Sequence, residues 1–161
     1  MPAPRLAVFV PNLQDGPSQR TMVALANRLR CHGFSVDVVA PMGGGPLRAA
    51  LDPGIGQIDL AKRHTRTSVL ALARILAERR PTGLVSVRGD AGLVAIGAAM
   101  LARCQTPVVM VGNVHGDGWG RNALSRLFRP RAATIVDERE DLDAVAGQCL
   151  AAFGLAMADG A

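Results

Sequence analysis

Apolar positions along this chain alternate between short unbroken runs and longer stripes with helical spacing. Arg5–Val10 (Arg-Leu-Ala-Val-Phe-Val) is a run of β-branched and apolar residues that stops at Pro11. It predicts a strand buried on both faces. From Gln19 to Arg30 the apolar residues Met22, Leu25, Ala26 and Leu29 follow one face of a helix. Between the two lies the polar loop Asn12–Ser18, which ends in Gly16, Pro17 and Ser18. Gly or Ser suits a helix cap, and Pro is tolerated in the first turn because its missing N–H has no partner there. A strand that runs through such a loop into a helix aims free backbone N–H groups at one point, which attracts anions, typically phosphates. Taken alone, the stretch reads first as the ordinary first turn of any α/β domain.

The alternation continues to the end of the chain. Gly33 predicts the end of the first helix, and Ser35–Ala40 reads as a second strand. Pro41–Pro46 reads as a flexible glycine-rich loop, Leu47–Leu51 as a short helical piece and Gln57–Leu60 as a weak strand. The basic stretch Lys62–Arg66 reads as a solvated loop. Thr67–Arg80 predicts a helix with Val69, Leu72, Ala73 and Leu76 on one face, ended by Pro81. A strand is expected at Leu84–Val87. Asp90 is then expected to cap a helix with the buried stripe Leu93, Val94, Gly97, Met100 and Leu101. Pro107–Val111 predicts a strand, Arg121–Phe128 a short helix, Thr134–Asp137 a last strand and Asp141–Phe153 a last helix. Residues 1–154 form one expected domain, and 155–161 a frayed tail of small residues.

Strand–helix alternation of this kind implies an α/β fold, a doubly wound, mostly parallel sheet with helices on both faces and right-handed crossovers. Ligands of such sheets bind outside the carboxyl ends of the strands. Those ends are expected to display Asn12–Ser18, Pro41–Pro46, Arg88–Asp90, Gly112–Gly118 and Asp137–Arg139. The polar groups of the cleft would be Arg88, Asp90, Asn113, His115 and Asp117, a set that suits a phosphorylated or hydroxylated ligand.

Composition narrows the choice of ligand. Aromatic residues are only four Phe and one Trp, with no Tyr, so the stacking platforms of a single-strand nucleic-acid binder are missing. The formal charge of +5, from 18 basic and 13 acidic residues, fits nucleotide diphosphates or acidic headgroups without establishing either. Cys31, Cys104 and Cys149 are odd in number and far apart, and read as reduced thiols of a cytoplasmic protein. The apolar stretches Leu6–Val10 and Leu93–Leu101 are too short for a signal peptide or a membrane span, which takes about 20 residues. Neither G-x-G-x-x-G nor G-x-x-x-x-G-K-[ST] occurs, so no dinucleotide cofactor or P-loop is expected. His115 and Asp117 lack two further ligands for a metal, and none is expected. His115 reads as a turn residue or as an active-site group.

Several stretches carry a resemblance when taken in order. They are Leu6–Leu13 with Gly16, Arg20–Leu29 and His32–Val39, then Gly45–Arg48 with Leu51–Gly54 and Ile58–Leu60, then Leu72–Pro81 and Arg126–Val136. In order and spacing they resemble the N-terminal, acceptor-side domain of GT-B glycosyltransferases of the retaining family 4 type, from Arg5 to about Gly154. The resemblance implies a sugar-nucleotide-dependent transferase whose partners are a nucleotide diphosphate sugar and an acceptor glycan or lipid. Within it His115 would face the donor sugar as the catalytic group, and Gly16, Arg20, Arg88, Asp90 and Asn113 would bind substrate. Pro17 stands beside Gly16, Gln19 replaces the glutamate of the family's Glu-Arg pair, Gly116 follows His115 and Glu138 replaces a serine. The family's donor domain carries two glutamates eight positions apart. Glu78, Glu138 and Glu140 do not have that spacing, so the C-terminal donor domain is expected to be absent here and supplied in cis or in trans. A second reading makes the chain a non-catalytic, degenerate GT-B-like binding or adaptor module. It would contact the inner membrane surface peripherally through Lys62–Arg66 and Arg121–Arg131.

Overall fold

The computed structural model describes residues 2–112 and 132–157. Six parallel strands form one sheet: β1 (Arg5–Phe9), β2 (Ser35–Ala40), β3 (Gly56–Asp59), β4 (Gly83–Val87), β5 (Val108–Val111) and β6 (Ala132–Val136). Their order is β3-β2-β1-β4-β5-β6. The described helices are α1 (Pro17–Cys31), α2 (Val69–Arg79), α3 (Asp90–Leu101) and α4 (Leu142–Ala152), with 3-10 turns at Pro46–Ala50 and Thr65–Ser68. The expected helix at Arg121–Phe128 lies outside the described residues.

Side chains that alternate along each strand feed two separate cores. Leu6 and Val8 of β1 and Val10 just after it, with Val36, Val38, Val85 and Val109, pack under α1 and α4. Ala7 and Phe9, with Leu84, Val108 and Met110, pack under α2 and α3. Leu25 and Leu29 of α1 and Leu72 and Leu76 of α2 are fully buried, and each such side chain contributes about 1.5–3 kcal/mol. The doubly wound expectation holds strand by strand.

Three details differ from the expectation. Asp90 does not cap α3; Gly89, at φ +97°, holds the cap position, and Asp90 is the first helical residue with its carboxylate turned to Arg66. The buried face of α3 is made of Ala91, Gly92, Val94, Ala95, Ile96, Ala98 and Ala99, whereas Met100 and Leu101 are exposed. The helix is wedged between the sheet and α2, and small residues dominate its buried face beside Val94 and Ile96. A Cβ on Gly92 would lie 2.4 Å from Met110 Sδ and 3.2 Å from the Val87 carbonyl oxygen. Finally, Leu155 and Met157, from the tail expected to fray, pack against the α1/α4 core.

The helix ends divide into two kinds. α1 and α4 each end on a glycine in the left-handed region, Gly33 at φ +88° and Gly154 at φ +71°. Both close the double hydrogen bond of a Schellman turn: Phe34 N–H to Leu29 and Gly33 N–H to Arg30 in one, Leu155 N–H to Leu150 and Gly154 N–H to Ala151 in the other. α2 and α3 reach the same backbone conformation on arginine, Arg80 at φ +44° and Arg103 at φ +51°. Arg80 N–H bonds the Leu76 carbonyl, while Arg103 and Cys104 close the Schellman pair onto Met100 and Ala99. An L-residue with a side chain pays about 1–2 kcal/mol for this conformation. Among the described residues Ala61, at φ +53°, is the other non-glycine case, and there the Asp59 carboxylate accepts its N–H at 2.8 Å.

Candidate functional site

The strand order has one switch point. β1 connects through α1 toward β2 on one side, while β4 opens the run toward β5 and β6 on the other. Adjacent strands whose following helices diverge to opposite faces leave a crevice between their carboxyl ends. Here it is bordered by 10–16 after β1 and by Arg88 and Gly89 after β4. Both α1 and α3 begin at this crevice.

The loop after β1 is organised by its own polar groups. Asn12 Oδ1 accepts the Gln14 N–H at 3.0 Å and the Gln19 amide at 3.3 Å. Gly16 takes the cap position of α1 in an extended conformation, without a side-chain cap, and Pro17 follows in the first turn as expected. Arg20 turns outward onto Asp15 and grips its carboxylate with two nitrogens, Nη2 to Oδ2 at 2.7 Å. The hydrogen bonds from Arg20 hold the Asp15 carboxyl below its ordinary range, and the carboxylate in turn raises Arg20. Gly16 and Arg20, expected as substrate-binding residues, thus lie together at the crevice, with the Arg20 charge already matched.

The remaining loops close around this one. Asn12 and Met42 form an isolated parallel bridge, which carries the β1–β2 pairing beyond the strands. Gly45, at φ +148°, sits so close to the loop after β1 that a Cβ would come within 2.3 Å of the Leu13 carbonyl oxygen. Lys62 N–H bonds the Pro41 carbonyl at 2.8 Å and Leu47 N–H the Leu13 carbonyl at 3.1 Å, so the glycine-rich loop Pro41–Pro46 is tied at both ends. Only about 30 Å³ remains beneath it, between Leu13, Gly43, Arg48 and Asp59.

On the other side of the crevice, the partly buried Arg88 runs beside Gly112, where a Cβ would lie 2.7 Å from Arg88 Cβ. Its N–H bonds the Val111 carbonyl at 3.0 Å. Asp90 accepts two hydrogen bonds from Arg66, at 3.2 and 3.3 Å, linking the exposed basic stretch to the start of α3. Glu138, in the loop after β6, accepts a hydrogen bond from Ser18 Oγ at 3.4 Å and so places a carboxylate at the first turn of α1. Sequence reasoning noted Glu138 as a replacement but not this contact, which only the parallel placement of β6 reveals. The structure therefore brings Gly16, Arg20, Arg88 and Asp90 to one end of the sheet. Asn113, His115 and Asp117 lie outside the described residues.

A larger hollow, of about 520 Å³, lies at the opposite end of the sheet, between the last turns of α2 and α3 and the starts of β4 and β5. The sequence reading assigned it no role. Among the described residues no group of three or more His, Cys, Asp or Glu could hold a metal, and no helix is long and apolar enough to cross a membrane.

No family model and no curated protein matches the chain. Solved structures do. S. aureus MnaA, in a co-structure with UDP, superposes with a TM-score of 0.57 at 13% identity, over 88% of this chain and 40% of that one. MurG of Acinetobacter baumannii gives 0.55 at 16% identity, over 83% of this chain and 41% of that one. MT0777 gives 0.53 at 16% identity, over 83% and 85%. At these identities the likeness is one of fold, and the fold is GT-B-like, a Rossmann-type α/β unit. The chain spans about two fifths of the length of MurG and MnaA.

Proposed function

We propose that this chain is the acceptor-binding half of a retaining, sugar-nucleotide-dependent glycosyltransferase, completed by a donor-binding domain in cis or in trans. The observation that carries the reading is the β1/β4 switch point with Glu138 set against the first turn of α1. A helix N-terminus attracts phosphate, but a carboxylate already there repels it and accepts hydrogen bonds from hydroxyl groups instead. Pro17 removes one more N–H from that turn. The crevice thereby favours a hydroxyl-rich acceptor, glycan or lipid-linked, over the diphosphate of a donor. Arg88 and Asp90 would contact the acceptor, and Asn113 the substrate. His115 would orient the donor sugar, and positioning with stabilisation of the departing diphosphate would carry most of the rate. The UDP in the MnaA co-structure supports a nucleotide ligand for the completed enzyme.

Saturation-transfer NMR with UDP and with a panel of neutral disaccharides tests the reading. The chain alone should give saturable saccharide signals that Arg88→Ala weakens, and no saturable UDP signal. Saturable UDP binding that Glu138→Ser leaves unchanged would sink it. With a donor domain supplied, His115→Ala should abolish turnover; unchanged turnover removes His115 from the mechanism.

A second reading has an observation of its own. Arg20 is spent on Asp15 and Gln19 on Asn12, so both residues at the resembling Glu-Arg position serve the loop itself. That suits a non-catalytic binding module. Its peripheral-membrane form, through the exposed Lys62–Arg66, predicts co-sedimentation with anionic liposomes that salt reverses.

A further inference from the structure

The hollow at the amino ends of β4 and β5 has a chemistry of its own. Its lining includes Arg80, Arg103, Thr82, Thr106, Cys104 and Gln105, and no carboxylate. Its volume, about 520 Å³, falls within the roughly 300–1,000 Å³ of small-molecule sites. Arg80 and Arg103 are exposed and form no ion pair with a carboxylate among the described residues, unlike Arg5, Arg20, Arg28, Arg66 and Arg79. Thr106 Oγ1 donates to the Pro81 carbonyl at 3.0 Å, and the Cys104 thiol to the Ala99 carbonyl at 3.6 Å, so both walls are fixed to the backbone around them.

The two arginines hold left-handed positions that the chain fills with glycine at the ends of α1 and α4. A cost of this kind persists where the side chain is needed. Neutralising helix ends does not account for it. A cation at an exposed helix C-terminus gains about 0.3–1 kcal/mol, less than the roughly 1–2 kcal/mol that the left-handed backbone costs. The Schellman bonds of α3 also satisfy its last carbonyls from the backbone alone. An unmatched positive charge remains over a concave, polar pocket with amide and hydroxyl donors beside it.

We propose that this hollow is a binding site for a small oxyanionic ligand, a phosphate or carboxylate compound, held between Arg80 and Arg103 with Thr82 and Gln105 as further polar contacts. It lies at the pole opposite the proposed acceptor crevice and does not depend on that reading.

Two-dimensional NMR titration of the whole chain with inorganic phosphate, pyrophosphate and citrate tests the proposal. The first two probes stand for phosphate ligands and the third for carboxylates. Saturable shifts should cluster at 77–82 and 102–107, and the tighter probe names the source. Arg80→Gly/Arg103→Gly should lower the affinity at least tenfold while the melting temperature stays level or rises, because glycine relieves both left-handed positions. Arg80→Asn/Arg103→Asn, which also tolerates that backbone, should lose the affinity in the same way. A purely structural role predicts the reverse, a lower melting temperature. Unsaturable or scattered shifts, or saturable binding that survives both double variants, would overturn the site.

Discussion

The two ends of the sheet differ in how their arginines are partnered. At the carboxyl end, where ligands of this architecture bind, the described polar groups engage one another: Arg20 with Asp15, Gln19 with Asn12, Ser18 with Glu138 and Arg66 with Asp90. At the amino end Arg80 and Arg103 face a hollow without a carboxylate and hold costly backbone conformations. Both poles thus hold paired charges, Arg5 and Arg79 on Asp37 at the amino end among them, and the hollow adds two arginines with no carboxylate in its lining. Ligand affinity follows unmatched charge and concavity rather than position in a fold alone, so both ends need testing.

The largest expected effect tests how β4, which runs between the two ends, is held at its start. Gly83 opens β4 beside Thr82, and a Cβ there would lie 2.4 Å from the ring of Phe153, which packs across from the end of α4. Gly83→Ala should destabilise the fold by about 1–3 kcal/mol through overpacking, read as a lower midpoint in urea. A variant as stable as the parent would mean that the Phe153 contact does not hold β4.

A smaller effect comes from exchanging the two kinds of helix end. Gly33→Arg puts at the end of α1 what α3 carries at Arg103, and should cost about 1–2 kcal/mol. Arg103→Gly should return about 1 kcal/mol, because the Schellman bonds come from the backbone and survive the change. Paired urea titrations check both signs. If Arg103→Gly destabilises instead, the arginine side chain stabilises the fold and its backbone cost is no sign of a ligand.

Much of the fold was legible because the signals were local. The β-branched runs at Leu6–Val10 and Val36–Ala40, the stripe from Met22 to Leu29 and the glycine at 33 each determine their own element. Where neighbours decide, the pattern misled. The stripe assigned to α3 caught Val94 but set the face by Met100 and Leu101, whereas a helix covered by both the sheet and α2 buries Ala95, Ile96 and Ala98 and leaves Leu101 out. Asp90 looked like a cap, yet Gly89 supplies the left-handed turn that an aspartate adopts less readily. Arg88, Asp90, Gly16 and Arg20 could be gathered at one end from the fold rule alone. The contact between Ser18 and Glu138, 120 residues apart, needs the position of β6. The arginine hollow did leave a trace in sequence: α2 and α3 end without glycine, whereas α1 and α4 end with one.

The smallest expected effect separates the ends by pH. Hydrogen bonds from Arg20 lower the pKa of Asp15, and hydrogen bonds from Arg28 lower that of Asp143, which ties α4 to α1. A carboxyl with a lower pKa folded than unfolded adds stability that is full above its ordinary value of 3.8 and is lost as pH falls through the depressed one. Both pairs are solvent-exposed and salt-screened, so the loss is small. Melting temperatures should therefore decline slightly more steeply below pH 4 in the parent than in Asp143→Asn, whose amide does not titrate. Asp15→Asn should flatten the same decline and also free Arg20 at the carboxyl end. Phosphate should then perturb residues 12–20 in that variant and leave its shifts at 77–82 and 102–107 as they were. If freeing Arg20 creates no response there, the repulsion from Glu138 outweighs one arginine. The carboxyl end is then closed to phosphate by the carboxylate at α1, not by the pairing of its cations.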